Sequence, residues 1–453
     1  MGVNAGAALG ALRGAGQRLA RAEGRFMAVA QTVLAQSFIM ALNLATGVLT
    51  ARLLGPEGRG AFAAISIWLM IPSLLAVAGL QSAVVYEGGR DGAQRLATTV
   101  GALVLATAAF APMAAACLPL VEWLLRGYDA PVVAAARWAL AASVVNVWVV
   151  IARQSLLAAR DYTAFNLFTV SFTGLYLGAL IALALLGRLT PQSAIAAQLL
   201  GTAFVFSLWL PRLMAGWRGA ALLPRRRTLR LLADYGLRAA PADALIAAAG
   251  QMDRLVLVGL IAPAELGLYA AALAFARVLS VVQTALSSVM LADLAGRPHA
   301  EIEPFVHGGF RLLLWLLVAC CCGALLVDRA LLHFAYGPAF AGAVPVFRVL
   351  LVEASLSCLC ALLAQAFLAS GRPATTSKAQ VAAFVCSAGG MLVLAPTHGA
   401  VGAAAALVVG GLVRLALLLA GLRRVGVAIP SPWPRRSDLE PITRRLRAAW
   451  GTA

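Results

Sequence analysis

Twelve apolar segments follow one another through most of this chain, near residues 28–50, 60–85, 97–121, 130–152, 163–187, 193–215, 235–261, 264–292, 305–327, 341–367, 376–396 and 399–421. Each is long enough, at roughly 20 residues or more, to cross a bilayer core of about 30 Å as a helix. In hydrocarbon every backbone N–H and C=O must bond within the chain, so segments of this kind form helices rather than loops or open sheet edges. Composition agrees, with 62% of the residues hydrophobic and only 12% charged, well above the roughly 45–50% apolar content of soluble domains. The expected fold is an all-α polytopic membrane protein with twelve transmembrane helices.

The chain also repeats itself. Leu53-Leu-Gly-Pro-Glu-Gly-Arg-Gly-Ala-Phe-Ala-Ala64 overlays Leu260-Ile-Ala-Pro-Ala-Glu-Leu-Gly-Leu-Tyr-Ala-Ala271, and Gln154-Ser-Leu-Leu-Ala158 overlays Gln365-Ala-Phe-Leu-Ala369. Arg137 and Arg348 correspond in the same way. Two related halves of six spans are therefore expected, a lobe at 28–215 and a lobe at 235–421. They are joined by a polar linker at 216–234 and flanked by basic ends at 1–27 and 422–453. The first span reads as an uncleaved anchor, since no small-residue cleavage site follows a short apolar core.

The formal net charge of +18 would suggest nucleic acid in a soluble protein. Here the arginines sit in short runs between spans, where Lys and Arg report cytoplasmic loops, so no nucleic-acid partner is expected. Most of the 36 basic residues fall on one side when both termini are cytoplasmic. An even number of spans per half then makes the repeats parallel, related by an axis along the membrane normal. In the tail, Ser437 to Trp450 alternates apolar and basic residues, the pattern of a short helix lying on anionic lipid.

Ionisable residues at bilayer depth cost roughly 2.5–3.5 kcal/mol each. Arg137, Asp243, Asp253, Arg254, Arg277, Arg348, Glu353 and Arg414 all fall within or at the edges of spans. Facing lipid together they would cost on the order of 20 kcal/mol, more than the roughly 5–15 kcal/mol net stability of a typical protein. They must point inward or toward one another. On the first span Thr32, Gln36, Asn43, Thr46 and Thr50 share a face, and on the seventh Asp243, Ala247, Gly250 and Arg254 do so. The candidate cavity residues are Arg254, Arg277, Asn43, Gln36, Arg137 and Arg348. Asp243, Asp253 and Glu353 are candidates for carrying a coupling ion. Each has a plainer reading: an Arg277–Glu353 pair could lock two helices, Asp253 and Arg254 could pair locally, Arg137 and Arg348 could snorkel, and Gln36 and Asn43 could be helix–helix glue.

No enzyme is expected. The four histidines and seven cysteines form no metal-ligand cluster, no phosphate-binding or nucleophile motif appears, and no loop is long enough for an outer active site. No cofactor is implied. Two parallel halves with polar faces between them most simply make a transporter.

Ala51 to Phe62 with Gly79-Leu-Gln-Ser-Ala83, Asp253 to Gly259, Pro263 to Ala272 and Gln365 to Pro373 together resemble the oligosaccharide flippases and polysaccharide exporters of the multidrug/oligosaccharidyl-lipid/polysaccharide superfamily. That resemblance implies a V of two six-helix lobes around a central cavity, alternating access, and a bacterial inner-membrane location. The implied substrate is an undecaprenyl-diphosphate-linked oligosaccharide, flipped from the cytoplasmic to the outer leaflet. The implied partners are membrane lipids and other polysaccharide assembly proteins. A cation-coupled multidrug exporter of the same fold and a membrane polymerase or ligase are the competing readings.

Overall fold

A computed structural model describes residues 4–90, 92, 94–214, 224–279, 299–369, 372–424 and 428–433; in the first helix, side chains are described from Leu34 onward. The expected tail helix at 437–450, Thr284 and Ser288 of the eighth segment, and the side chain of Thr32 lie outside the described residues. Twelve α-helices are described: α1 (Asn4–Val77), α2 (Leu80–Arg90), α3 (Arg95–Leu124), α4 (Ala130–Ala142), α5 (Val144–Ala158), α6 (Tyr162–Leu185), α7 (Pro191–Met214), α8 (Arg226–Leu260), α9 (Pro263–Ala276), α10 (His299–Tyr336), α11 (Ala343–Ala369) and α12 (Pro373–Arg424). No strand occurs among the described residues. Seven helices are long and apolar enough to cross a membrane, or eight if α4 and α5, bent by 41° at Ser143, form one span. The chain is a multi-pass membrane protein.

Helices and expected spans do not match one for one. Both α1 and α12 contain a break where two helices meet, at Gly55 (φ 68, ψ 178) and at Gly399 (φ 57, ψ −139). A side chain at Gly55 would be strained in that backbone conformation, and Pro56 starts the second helix with a φ suited to it. The chain reverses there, because Arg59 Nη1 donates to Thr50 Oγ1 at 2.9 Å. In a straight helix nine residues would separate them by about 13.5 Å.

The two halves meet at the repeated hairpins. α1 packs more extensively on α9 than on any other element. A Cβ at Gly60 would lie 1.7 Å from the Pro263 carbonyl oxygen, and one at Gly267 would lie 1.9 Å from that of Pro56. Main chain therefore touches main chain, and only glycine fits at both positions. Arg52 Nη2 adds a bond to the Phe334 carbonyl at 2.8 Å. Around this joint lies the largest apolar core, in which Trp68, Leu257, Tyr269, Leu273 and Phe347 from both halves are buried together.

A second joint lies at the other end of the α1 segment 56–77, about 33 Å away by helix rise. There Asp243 of α8 accepts from the Gly79 N–H at 3.0 Å, Ser82 Oγ at 2.9 Å and Gln81 Nε2 at 3.4 Å. It caps α2, and Tyr235 stacks on Tyr86 with ring centroids 5.0 Å apart. Beyond α12, residues 428–433 run back along α10, where His307 and Trp315 hydrogen-bond the carbonyls of Ala428 and Pro432.

Candidate functional site

Between the two joints, side chains from both halves converge. Asp253, in the last two turns of α8, is buried at 8% exposure. It is not left without a donor: Tyr269 of α9, itself fully buried, gives its hydroxyl proton to Asp253 Oδ2 at 2.9 Å. Arg254, one residue on, lies within electrostatic reach of Arg277, Asp253, Tyr269 and Arg59. Glu353 on α11 accepts from Ser357 Oγ at 2.7 Å and feels the charges of Asp253, Arg277 and Arg414. A cavity of about 230 Å³ opens among these groups, lined by Gly250, Asp253, Arg277, Glu353, Ser357 and Leu407.

Arg59 supplies the first half's contribution. Its Nη1 holds Thr50, whose own hydroxyl donates to the Thr46 carbonyl at 2.7 Å, and its guanidinium lies 5.2 Å from the Phe62 ring centroid. Its Nε, like that of Arg414, is buried with no hydrogen-bond partner among the described residues. The linked set is therefore Arg59, Arg254, Arg277 and Arg414 against Asp253 and Glu353. Among the described residues this set holds four cations and two carboxylates, an excess of positive charge. Beside a partly buried, apolar helix interface such an excess attracts a multiply charged anion, and guanidinium groups suit phosphate oxygens geometrically.

Of the residues singled out from the sequence, Asp253, Arg254, Arg277 and Glu353 come together here. The others stand elsewhere. Asp243 caps α2 at the far joint. Arg137 pairs with Glu122 at 2.8 Å, with 52% and 60% of the two side chains exposed. Arg348 pairs with Asp328, which is only 2% exposed, beside a cleft that also receives Arg329 and His333. In each half an arginine thus ties one helix to the preceding long helix, α4 to α3 and α11 to α10. Gln36 and Asn43 are exposed on the described surface.

Sequence reasoning missed Arg59, Tyr269 and the involvement of Arg414. Arg59 falls between two hydropathy maxima, which assigns it to a loop; the reversal at Gly55 places it one turn inside a helix instead. The signal was present in the repeated hairpin, whose second copy carries Tyr269 eight residues before Arg277. No metal-binding group of three or more His, Cys, Asp or Glu occurs among the described residues.

Comparison with known proteins fits this architecture. Residues 49–345 match the family described as polysaccharide biosynthesis protein, and the chain belongs to it. No curated protein sequence matches. The fold is similar to that of the lipid II flippase MurJ in its inward closed conformation, at 12% identity and TM-score 0.73, covering 86% of this chain and 87% of that one. It is also similar to an inward-facing multidrug resistance MATE family transporter of the MOP superfamily, at 19% identity and TM-score 0.68, covering 86% and 94%. A MOP superfamily transporter from Pyrococcus furiosus, whose binding pocket is described as reversed in polarity, matches at 16% identity and TM-score 0.54 over 88% and 95%.

Proposed function

We propose that this member of the polysaccharide biosynthesis family is a flippase for a lipid-linked oligosaccharide whose head carries a diphosphate. The observation that carries the reading is the charge balance of the cluster between the halves, in which, among the described residues, four arginines from both halves face two carboxylates. A diphosphate would neutralise that excess in the cavity, while an undecaprenyl tail could stay in lipid between the halves. Such a substrate is carried, not transformed, and no residue is assigned a catalytic role. The joints at Gly60–Gly267 and at Asp243 mark the two ends of the interface that alternating access must open in turn. Reading α1 and α12 as two crossings each, α4 and α5 as one, and α2 as the end of the second crossing gives twelve crossings, with lobes at 28–215 and 235–421. With both termini cytoplasmic, in a bacterial inner membrane, the hairpins would face outward.

A cation-coupled drug exporter is the second reading, favoured by Asp253 and Glu353, which line the cavity. The arginine excess weighs against a cationic cargo, and the two carboxylates serve the first reading as carriers of a coupling ion. The test is mass spectrometry of polyprenyl-diphosphate glycans, with their sidedness, in cells carrying the wild-type chain, Arg277→Ala or no chain. One glycan should accumulate on the cytoplasmic side without the chain, and at least partly with Arg277→Ala. Unchanged glycan levels and sidedness without the chain would sink the proposal.

A further inference from the structure

A second cavity, of about 270 Å³, lies wholly within the first half, between α1, α5, α6 and α7. It has no part in the charge cluster described above. Its polar lining is Ser73, Asn146, Arg153, Thr169, Gln198 and Thr202, and Phe168 and Phe172 supply aromatic faces. Sorting basic residues over loops treats Arg153 as an ordinary cytoplasmic charge. The structure does not: its guanidinium lies 5.4 Å from the Phe165 ring centroid, and its Nε is fully buried with no hydrogen-bond partner. No carboxylate among the described residues pairs with it. Asp161, in the turn that follows α5, is held by Arg212 at 3.0 Å. Arg153 is thus a half-buried cation without a carboxylate partner among the described residues, and water in the cavity would hydrate it without neutralising it.

The remaining polar atoms define what else the ligand must offer. Thr169 and Thr202 spend their hydroxyl protons on helix carbonyls, Phe165 O at 3.0 Å and Gln198 O at 2.7 Å. They can therefore only accept from a ligand. Asn146 gives one amide proton to the Leu69 carbonyl at 3.1 Å, which leaves its second amide proton as a donor and its carbonyl as an acceptor. The Gln198 side chain makes no hydrogen bond among the described residues and can both donate and accept. A ligand meeting this set needs several hydroxyl donors, one anionic group and an apolar face for Phe168 or Phe172. The volume of about 270 Å³ suits one sugar ring rather than an oligosaccharide.

We infer that this first-half cavity binds a single acidic sugar residue, its carboxylate on Arg153 and its hydroxyls on Asn146, Thr169, Gln198 and Thr202. Arginine presents two parallel N–H groups to a carboxylate, a match that a neutral sugar cannot use. The inference deepens the flippase reading, because it names the glycan as one that contains a uronic acid. It rests on that reading only for the step from binding to transport.

The test is saturation-transfer NMR on the purified full-length chain with glucuronate and with glucose. Glucuronate should bind at least tenfold more tightly than glucose, and Arg153→Gln should abolish that preference while a melting curve verifies the fold. If Arg153→Gln does not fold, Gln198→Ala takes its place and should weaken glucuronate at least threefold. No transfer from glucuronate, equal binding of glucose, or an unchanged preference in the folded variant would overturn the inference. Titration with farnesyl diphosphate separates the two claims. Loss of diphosphate binding with glucuronate retained would count against the flippase reading alone, and the reverse would count against this one alone.

Discussion

Single residues carry the charge balance, and their surroundings decide what each is worth. Arg59 and Arg137 were equally visible as arginines at the ends of apolar segments, yet one is drawn into the interface by the break at Gly55 and the other meets Glu122 in the open. Exposed pairs contribute about 0–1 kcal/mol. Arg137→Ala should therefore leave substrate binding unchanged and shift stability by less than about 1 kcal/mol, whereas Arg59→Ala should weaken diphosphate binding at least tenfold; equal effects on farnesyl diphosphate affinity would contradict this assignment. Asp161, in the turn before α6, accepts from the Ala164 N–H at 2.9 Å and from Arg212. Those bonds, the backbone one first, hold its carboxyl below the ordinary aspartate range. A depressed folded-state value means that its stabilisation is present above the unfolded value and is lost as pH falls through the folded one. Melting temperature should thus fall more steeply on acidification in the wild type than in Asp161→Asn, and parallel curves would refute the role.

At the scale of elements, the hairpin joint is the most demanding contact in the molecule. Gly267→Ala places a methyl on the Pro56 carbonyl, where main chain has to move. The expected loss is about 1–3 kcal/mol or more, read as a lower melting temperature in detergent. Adding Gly60→Ala should cost less than it does alone, because the hairpins have already parted. Gly174→Ala is the control, since nothing lies within 4 Å of a Cβ there; it should be neutral or slightly stabilising. Helix ends were the least legible part of the sequence. Hydropathy located α3, α6, α7 and α11 closely, because glycine, proline or polar residues interrupt the apolar run at their ends. It could not see that Asp243, spaced on a shared face with Arg254, turns away to cap α2, nor that Glu265 caps the helix after Gly399 by accepting from the Ala400 N–H at 2.7 Å. A helical face tells which residues are neighbours on one helix, not which neighbouring helix end lacks a donor or an acceptor.

For the whole molecule, duplication was readable because the same Leu, Pro, Gly and Ala return in the same order. The cavity was legible only in its second half, where charges interrupt apolar segments. The first half's share depends on a chain reversal at Gly55 that leaves little trace in composition. The charge excess predicts a ranking of amphiphiles on the purified chain. Farnesyl diphosphate should bind at least tenfold more tightly than farnesyl phosphate, and tetraphenylphosphonium more weakly than either; tight binding of the cation would reverse the assignment of the cavity. The hairpin joint bears on history as well as on mechanics. Gly60 meets Pro263 while Gly267 meets Pro56, so each partner does to the other what the other does to it. This reciprocity is the signature of an isologous contact between identical subunits around a two-fold axis. A half-length ancestor carrying one such hairpin would have needed no new surface to dimerise, and fusing two copies end to end would have preserved the contact while freeing each half to acquire arginines of its own.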